Sequence, residues 1–444
     1  MSRIKIVIAS LLVSLLLAGT AAFAAPIDPN STLIPLQMRV LDNGMRVIVR
    51  EIPSYPIATV NVWVDTGAKD DPEGLSGLAH FFEHLTFKGT ETRPRGQIAY
   101  EVESLGGYLN AMTSLDYTSY FIVVPAEHVS QAMEIQADAL LNSLYEQEEI
   151  DRERTVIHEE IRLRIDSPQT HLTDKAIEHL FAGIVYAKNV IGSTEELANV
   201  QRQDIVDFHA KYYVPNNMVL VVAGQVEAET IFAQAEKLYG DMAPKALPQT
   251  GCIAIPRLET VVHLTEERPL EQSYVFFGHP APGSNTHEAA ALTLAGVILG
   301  GGRSSRLYQR LIEEEQIVTS VSAAYSGFAD IGLFGVFAQL DPAQMDRLRE
   351  IYRAELVRLQ VEPVSEADLN RAKAMARSSL AFSTESSTNV AMYLGQMEIY
   401  GGVMGAVNYG AVLEQVTAED IQRAAQSFLH PDAYIHSEIS PVGR

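Results

Sequence analysis

Five consecutive residues, His80-Phe81-Phe82-Glu83-His84, restrict what this chain can be more than any other part of it. In an α-helix, positions i and i+4 share a face, so His80 and His84 project side by side. Two imidazoles at that spacing can grip one metal ion, and zinc suits a nitrogen-rich site that also carries a carboxylate. Glu83 stands one residue before the second histidine, close enough to reach a metal-bound water. The competing reading is a core helix that carries two histidines and no metal.

A third ligand separates these readings, because two histidines leave a catalytic zinc one protein ligand short. The sequence offers Glu160, in the segment ERTVIHEEIRLR. Ile150, Ile157 and Ile161 recur there at helical spacing. Glu153 lies two turns before Glu160 and nearly on the same face, where it can orient a histidine ligand from behind. For Glu159 and Glu160 the plain alternative is a solvated helix face.

The order H-x-x-E-H is the inverzincin signature. With HFFEHLTFKGT, the later E-R-x-V-I-x-E-E-I and GGYLNAMTSLDYTSY at residues 106–120, the chain resembles the pitrilysin-like peptidases, the insulinase and processing-peptidase family. The resemblance runs over nearly the whole chain beyond its first 24 residues. It implies that His80, His84 and Glu160 bind zinc, that Glu83 is the base and that Glu153 supports them. It also implies an extended peptide substrate that adds as a strand to a sheet edge near residues 109–113, touching Asn110 and Ala111. Read without it, Gly106-Gly107 is an ordinary turn and Asn110 a local cap.

Residues 1–24 read as a signal peptide rather than as part of the fold. Arg3 and Lys5 precede an apolar run over residues 6–17, and Ala22-Phe23-Ala24 forms an A-x-A site, so Ala25 is the expected first residue after cleavage. An uncleaved anchor is the alternative. No later stretch approaches the ~20 apolar residues of a membrane helix. The implied compartment is the periplasm. Cys252 is the single cysteine, which excludes an intramolecular disulfide framework, and no nucleophile motif surrounds it. It reads as a small linker or core residue. The formal net charge of −23 excludes nucleic acid as a partner, since that needs a basic footprint. An acidic cavity would attract basic peptides, and the same charge also serves solubility.

Past residue 24 the chain divides into two stretches of about 200 residues, a usual domain size. The expected zinc-bearing domain spans residues 25–242, and a second, homologous domain without a metal site spans residues 257–444. Between them, residues 243–256 hold breaker residues and no periodicity. VQRQDIVDFHAKYYVP, starting at Val200, recurs as VTAEDIQRAAQSFLHP, starting at Val416. Each copy reads as a capped helix closed by proline and followed by a strand. The fold class is α+β, with two related domains, each a mostly antiparallel sheet with helices packed on one face. Asp42-Asn43-Gly44 marks an early hairpin, and residues 129–144 read as an amphipathic helix. Where the first half has the zinc helix, the second has LTLAGVILGGGRSSRL with neither histidine nor glutamate, so one zinc per chain is expected.

By resemblance, such a two-domain chain is half of a closed peptidase chamber. Its relatives carry a substrate-clamping arginine and tyrosine in the half without zinc. Here those positions fall on Ile312 and Thr319, with Arg310 and Tyr325 nearby but out of register. Neither Ile312 nor Thr319 can replace a long donor. The expected partner is therefore a homologous subunit that supplies both residues, as in heterodimeric processing-peptidase-like enzymes. A homodimer with other donors, or a loop shift that brings in Arg310, are the alternatives. A non-catalytic structural subunit and a peptide-binding protein are the rival functions.

Overall fold

The computed structural model describes residues 35–443, apart from residues 55, 249, 250 and 252. The expected signal peptide and Cys252 therefore lie outside the described residues.

The first half runs β1 (Gln37–Val40), β2 (Arg46–Glu51), β3 (Ile57–Val64), α1 (Leu78–Leu85), α2 (Gln97–Ser104), β4 (Tyr108–Thr113), β5 (Thr118–Pro125), α3 (Val129–Asn142), α4 (Gln147–Asp166), α5 (Pro168–Leu180), α6 (Thr194–Asn199), α7 (Arg202–Tyr212), β6 (Met218–Gly224) and α8 (Ala228–Tyr239). The second runs β7 (Val262–Arg268), β8 (Ser273–Pro282), α9 (His287–Gly300), α10 (Arg306–Tyr308), β9 (Val318–Gly327), β10 (Ile331–Leu340), α11 (Met345–Val361), α12 (Glu366–Phe382), α13 (Ser387–Ile399), α14 (Val403–Gln415), α15 (Ala418–Phe428) and β11 (Ile435–Pro441). The helix α3 stops at Asn142, so Leu144 lies past its end. Among the described residues no helix is long and apolar enough to cross a membrane.

Two sheets result, ordered β1-β2-β6-β3-β5-β4 and β7-β11-β8-β10-β9. With β1 set aside the two orders correspond strand for strand. In each, the last strand of the half pairs in parallel with the first (β6 with β2, β11 with β7), and the remaining neighbours are antiparallel. The repeated segments form α7 and α15, and in each an aspartate three residues in caps the helix start. The backbone N–H of Gln201 donates to Asp204 at 2.8 Å, and that of Thr417 to Asp420 at 2.8 Å. The chain thus holds two copies of one α+β plan, and α9 occupies in the second the place that α1 holds in the first.

The helical covering departs from the expectation of a single helical face per sheet. The first sheet's inner face packs on α1, α3, α7 and α8 around Val60, Val62, Phe81, Met133 and Leu220. Its other face is not solvated: Trp63, Val219, Val221 and Ala223 bury themselves against Val390, Ala391 and Leu394 of α13, from the second half. A Cβ at Gly395 would lie 2.1 Å from the Trp63 Nε1, so only glycine lets this helix approach so closely. The converse holds for α5, whose Leu172, Ala176 and Leu180 cover Phe276, Leu333, Ile435 and Ile439 of the second sheet. Each half lends one helix to the other. Periodicity within either half cannot reveal this, because it reports that a face is apolar and not what covers it.

Candidate active site

The site begins with the entry into α1. Gly77 takes φ 92°, and its N–H donates to Asp71 Oδ2 at 2.7 Å, while the Ala79 N–H donates to Asp71 Oδ1 at 2.8 Å. A buried carboxylate thus satisfies two of the helix's free N-terminal donors. Leu78, Ala79, Phe81, Phe82 and Leu85 are buried. Phe82 packs among the rings of Tyr145, Phe208, His209 and Tyr213, with centroids 4.4 to 5.9 Å away. This fixes the helix's rotation and leaves His80, Glu83 and His84 on the opposite face.

α4 brings its carboxylates to that face. Glu160 Oε2 lies 3.8 Å from His80 Nε2 and 3.5 Å from His84 Nε2. Ligands about 2.0–2.2 Å from a tetrahedral ion stand about 3.4 Å apart, so the three atoms are spaced to hold one zinc-sized ion. Among the described residues His80, His84 and Glu160 form the one group of three such ligands. Glu153 has Oε2 3.0 Å from His84 Nδ1 and Oε1 2.6 Å from Lys88 Nζ. That contact leaves the lone pair of His84 Nε2 for a metal. His80 has no such brace, and its buried Nδ1 has no hydrogen-bond partner among the described residues. Burial, then the neighbouring His84 and Arg164, lowers the His80 pKa to about 3, which keeps the ring neutral and able to ligate.

A cavity of about 390 Å³ opens over these groups, lined by His80, Glu83 and Glu160. Ala111, Met112 and Thr113 of β4 form one wall, and Arg164, Val190 and Ile191 form the other. Thr113 Oγ1 donates to Glu83 Oε2 at 2.5 Å. Burial raises the Glu83 pKa, against the opposing pull of that hydrogen bond and of His84. β4 is the edge strand of its sheet, as the expected peptide-docking strand requires. Ala111 faces the cavity. Asn110 is exposed and does not line it; its Oδ1 accepts the Ala111 N–H at 2.9 Å.

Buried Asp116, in the turn after β4, joins the first half to the second. It accepts from Lys69 Nζ at 2.8 Å, Tyr186 OH at 2.5 Å and the Ala329 N–H at 2.9 Å. The last of these belongs to the second half. In that half Arg310 pairs with Glu314 and Glu315, and Tyr325 OH donates to the Pro282 carbonyl at 2.7 Å. Neither lines the cavity, and Ile312 packs against the second core.

Sequence reasoning did not single out Thr113, Arg164, Val190 or Ile191. Thr113 alternates with Ala111 along β4, and Arg164 follows Glu160 by one turn, so both had a periodic signal. Val190 and Ile191 arrive through a loop crossing that has none.

The pattern described as Insulinase (Peptidase family M16) matches residues 46–193, and that described as Peptidase M16 inactive domain matches residues 199–376. An uncharacterized zinc protease of Mycobacterium bovis is 31% identical over 413 residues, covering 91% of this chain and 93% of the relative. A probable mitochondrial-processing peptidase subunit beta of Arabidopsis thaliana is 29% identical over 423 residues, covering 91% and 78%. A protease from Helicobacter pylori has the same fold, with a TM-score of 0.85, 24% identity and coverage of 91% of this chain and 99% of that one. With its ligand geometry, its duplicated sheets and relatives matched over nearly their full length, this chain belongs to the insulinase family of peptidases, family M16.

Proposed function

We propose that the chain is a zinc-dependent endopeptidase that hydrolyses extended, unfolded peptides, with one zinc held by His80, His84 and Glu160. The observation that carries this reading is the convergence of those ligand atoms beside Glu83 and the free edge of β4. When bound, zinc polarises the scissile carbonyl and lowers the pKa of its water towards ~7. Glu83 is the base. Burial favours its uptake of a proton, and Thr113 holds one of its oxygens at 2.5 Å, so it takes the water proton and returns it to the leaving amine. The edge of β4 pairs with the substrate backbone at Ala111 and Asn110, which tolerates varied side chains.

The chain acts as half of a chamber completed by a homologous subunit. Supporting this, Ile312 is packed into its own core, Thr319 donates to the Gln339 carbonyl, and Arg310 and Tyr325 are engaged elsewhere, which leaves the clamp positions without a long donor. The N-terminal segment directs export to the periplasm. A scaffold or peptide-capturing role is the rival reading, and Glu83 favours hydrolysis, because capture needs no base.

The test is cleavage of an unstructured peptide by the purified chain, alone and with any co-purifying homologue. A chelator should abolish cleavage and zinc restore it. Glu83→Gln should keep its zinc and lose about 100-fold or more in kcat. Near-normal turnover in zinc-loaded Glu83→Gln would remove the assigned base. Equal rates for the lone chain and the mixture would remove the partner.

A further inference from the structure

The cavity contains one charged group that neither the metal nor the base accounts for. Arg164 lies one helical turn beyond Glu160 on α4 and lines the same cavity as His80 and Glu83. Its guanidinium is held in a fixed plane by Asp174 of α5, which accepts from Nε at 2.6 Å and from Nη2 at 2.7 Å. This is the two-pronged geometry that gives arginine its directional strength. It uses one edge of the fork and leaves the Nη1 side for a ligand. The Arg164 side chain is 38% exposed while its Asp174 partner is 18% exposed, so the pair is anchored at its carboxylate end and open at the arginine end.

The other cavity groups limit what this fork can meet. Glu83 and Glu160 are committed to the proton and the metal, and Met112, Val190 and Ile191 offer only apolar surface beside them. Arg164 is the sole lysine or arginine among the lining residues. A substrate laid along β4 pairs only alternate backbone carbonyls with it, and among the acceptors a peptide can then bring, a carboxylate best matches the charge and geometry of a preorganised guanidinium.

Resting on the peptidase reading above, we propose that Arg164 is a specificity-determining residue that binds a substrate carboxylate next to the scissile bond. That carboxylate is either an Asp or Glu side chain or the free C-terminus of a short peptide. The net charge of −23 repels acidic peptides at long range, so the selected substrate is one whose negative charge is confined to that one position.

The experiment uses the zinc-loaded chain, with its partner subunit where one co-purifies, and two peptide series. In the first, a Glu/Gln pair is scanned across the three residues on either side of the cleaved bond. In the second, products are shortened so that a free or amidated C-terminus falls within that window. The expected result is a Glu-over-Gln or acid-over-amide ratio in kcat/KM of about tenfold at one position. The series that shows it identifies the source of the carboxylate. Arg164→Met should bring the ratio to about one, whatever its absolute rates. Arg164→Lys, which keeps a cation for Asp174, should retain only part of it. Cleavage with no such ratio at any position, or an unchanged ratio in Arg164→Met, overturns the proposal alone. Absence of cleavage for every peptide with the homologous subunit present overturns the peptidase reading and this proposal with it.

Discussion

His80 and His84 are equivalent on a helical wheel and unequal in the structure. His84 has Glu153 behind it, and Glu153 is itself held by Lys88. His80 has no such carboxylate behind it: its Nδ1 is buried without a hydrogen-bond partner among the described residues. Removal of Glu153 should therefore loosen one ligand without deleting it: Glu153→Ala is expected to weaken zinc binding by about 10- to 100-fold. His80→Ala, His84→Ala or Glu160→Ala should each abolish stoichiometric zinc. Metal analysis after dialysis against graded chelator checks both statements, and full occupancy in an alanine variant would strike that residue from the ligand set. At this scale the sequence was informative wherever a relation stays within one helix. The pair His80/His84 and the pair Glu153/Glu160 are each fixed by local geometry. Their meeting across α1 and α4 is tertiary, and periodicity within either helix does not give it. Val190 and Ile191 lay beyond any such signal.

Among elements, α1 has the hardest task for its length. An isolated helix of eight residues is far below the ~12–15 that make one marginally stable in water. Its persistence rests on Phe82 in its aromatic nest and on the two hydrogen bonds to Asp71. Asp71→Ala should strand two N–H donors and destabilise the metal-free protein by about 1–3 kcal/mol. Asp71→Asn, which keeps one acceptor, should cost less. Urea titration in the presence of chelator measures both, and equal stability of Asp71→Ala and the parent would show that α1 is held by packing alone. Its counterpart α9 shows the opposite solution. Ten of its residues are buried, from Ala289 to Gly300, and its two half-buried positions there, Thr293 and Val297, carry no metal ligand. The missing H-x-x-E-H pattern announced that difference in the sequence. The closeness of α13 to Trp63 did not announce itself, because a glycine in a helix gives no hint of what it admits.

For the whole molecule, the duplicated plan was legible from one repeated helix–proline–strand segment, since it recurs at the same place in each half. The exchange of α5 and α13 was not, and it changes what the two halves are to each other. Neither is a finished body: without α13 the first sheet would expose Trp63, Val219 and Val221, and without α5 the second would expose Phe276 and Leu333. Asp116 adds a polar fastening between them through the Ala329 N–H. Residues 35–248 and 253–443 produced as two separate chains should accordingly be poorly soluble alone, and should assemble into a one-to-one, zinc-binding complex when co-expressed. Size-exclusion chromatography with metal analysis decides this, and two soluble, independently folded halves would refute it. A reciprocal loan of the same helix is also what results when a symmetric, domain-swapped pair of identical chains is joined end to end. On that reading each half stands to the other as one protomer of a swapped pair stands to its twin, and the fold of either is completed only by its counterpart.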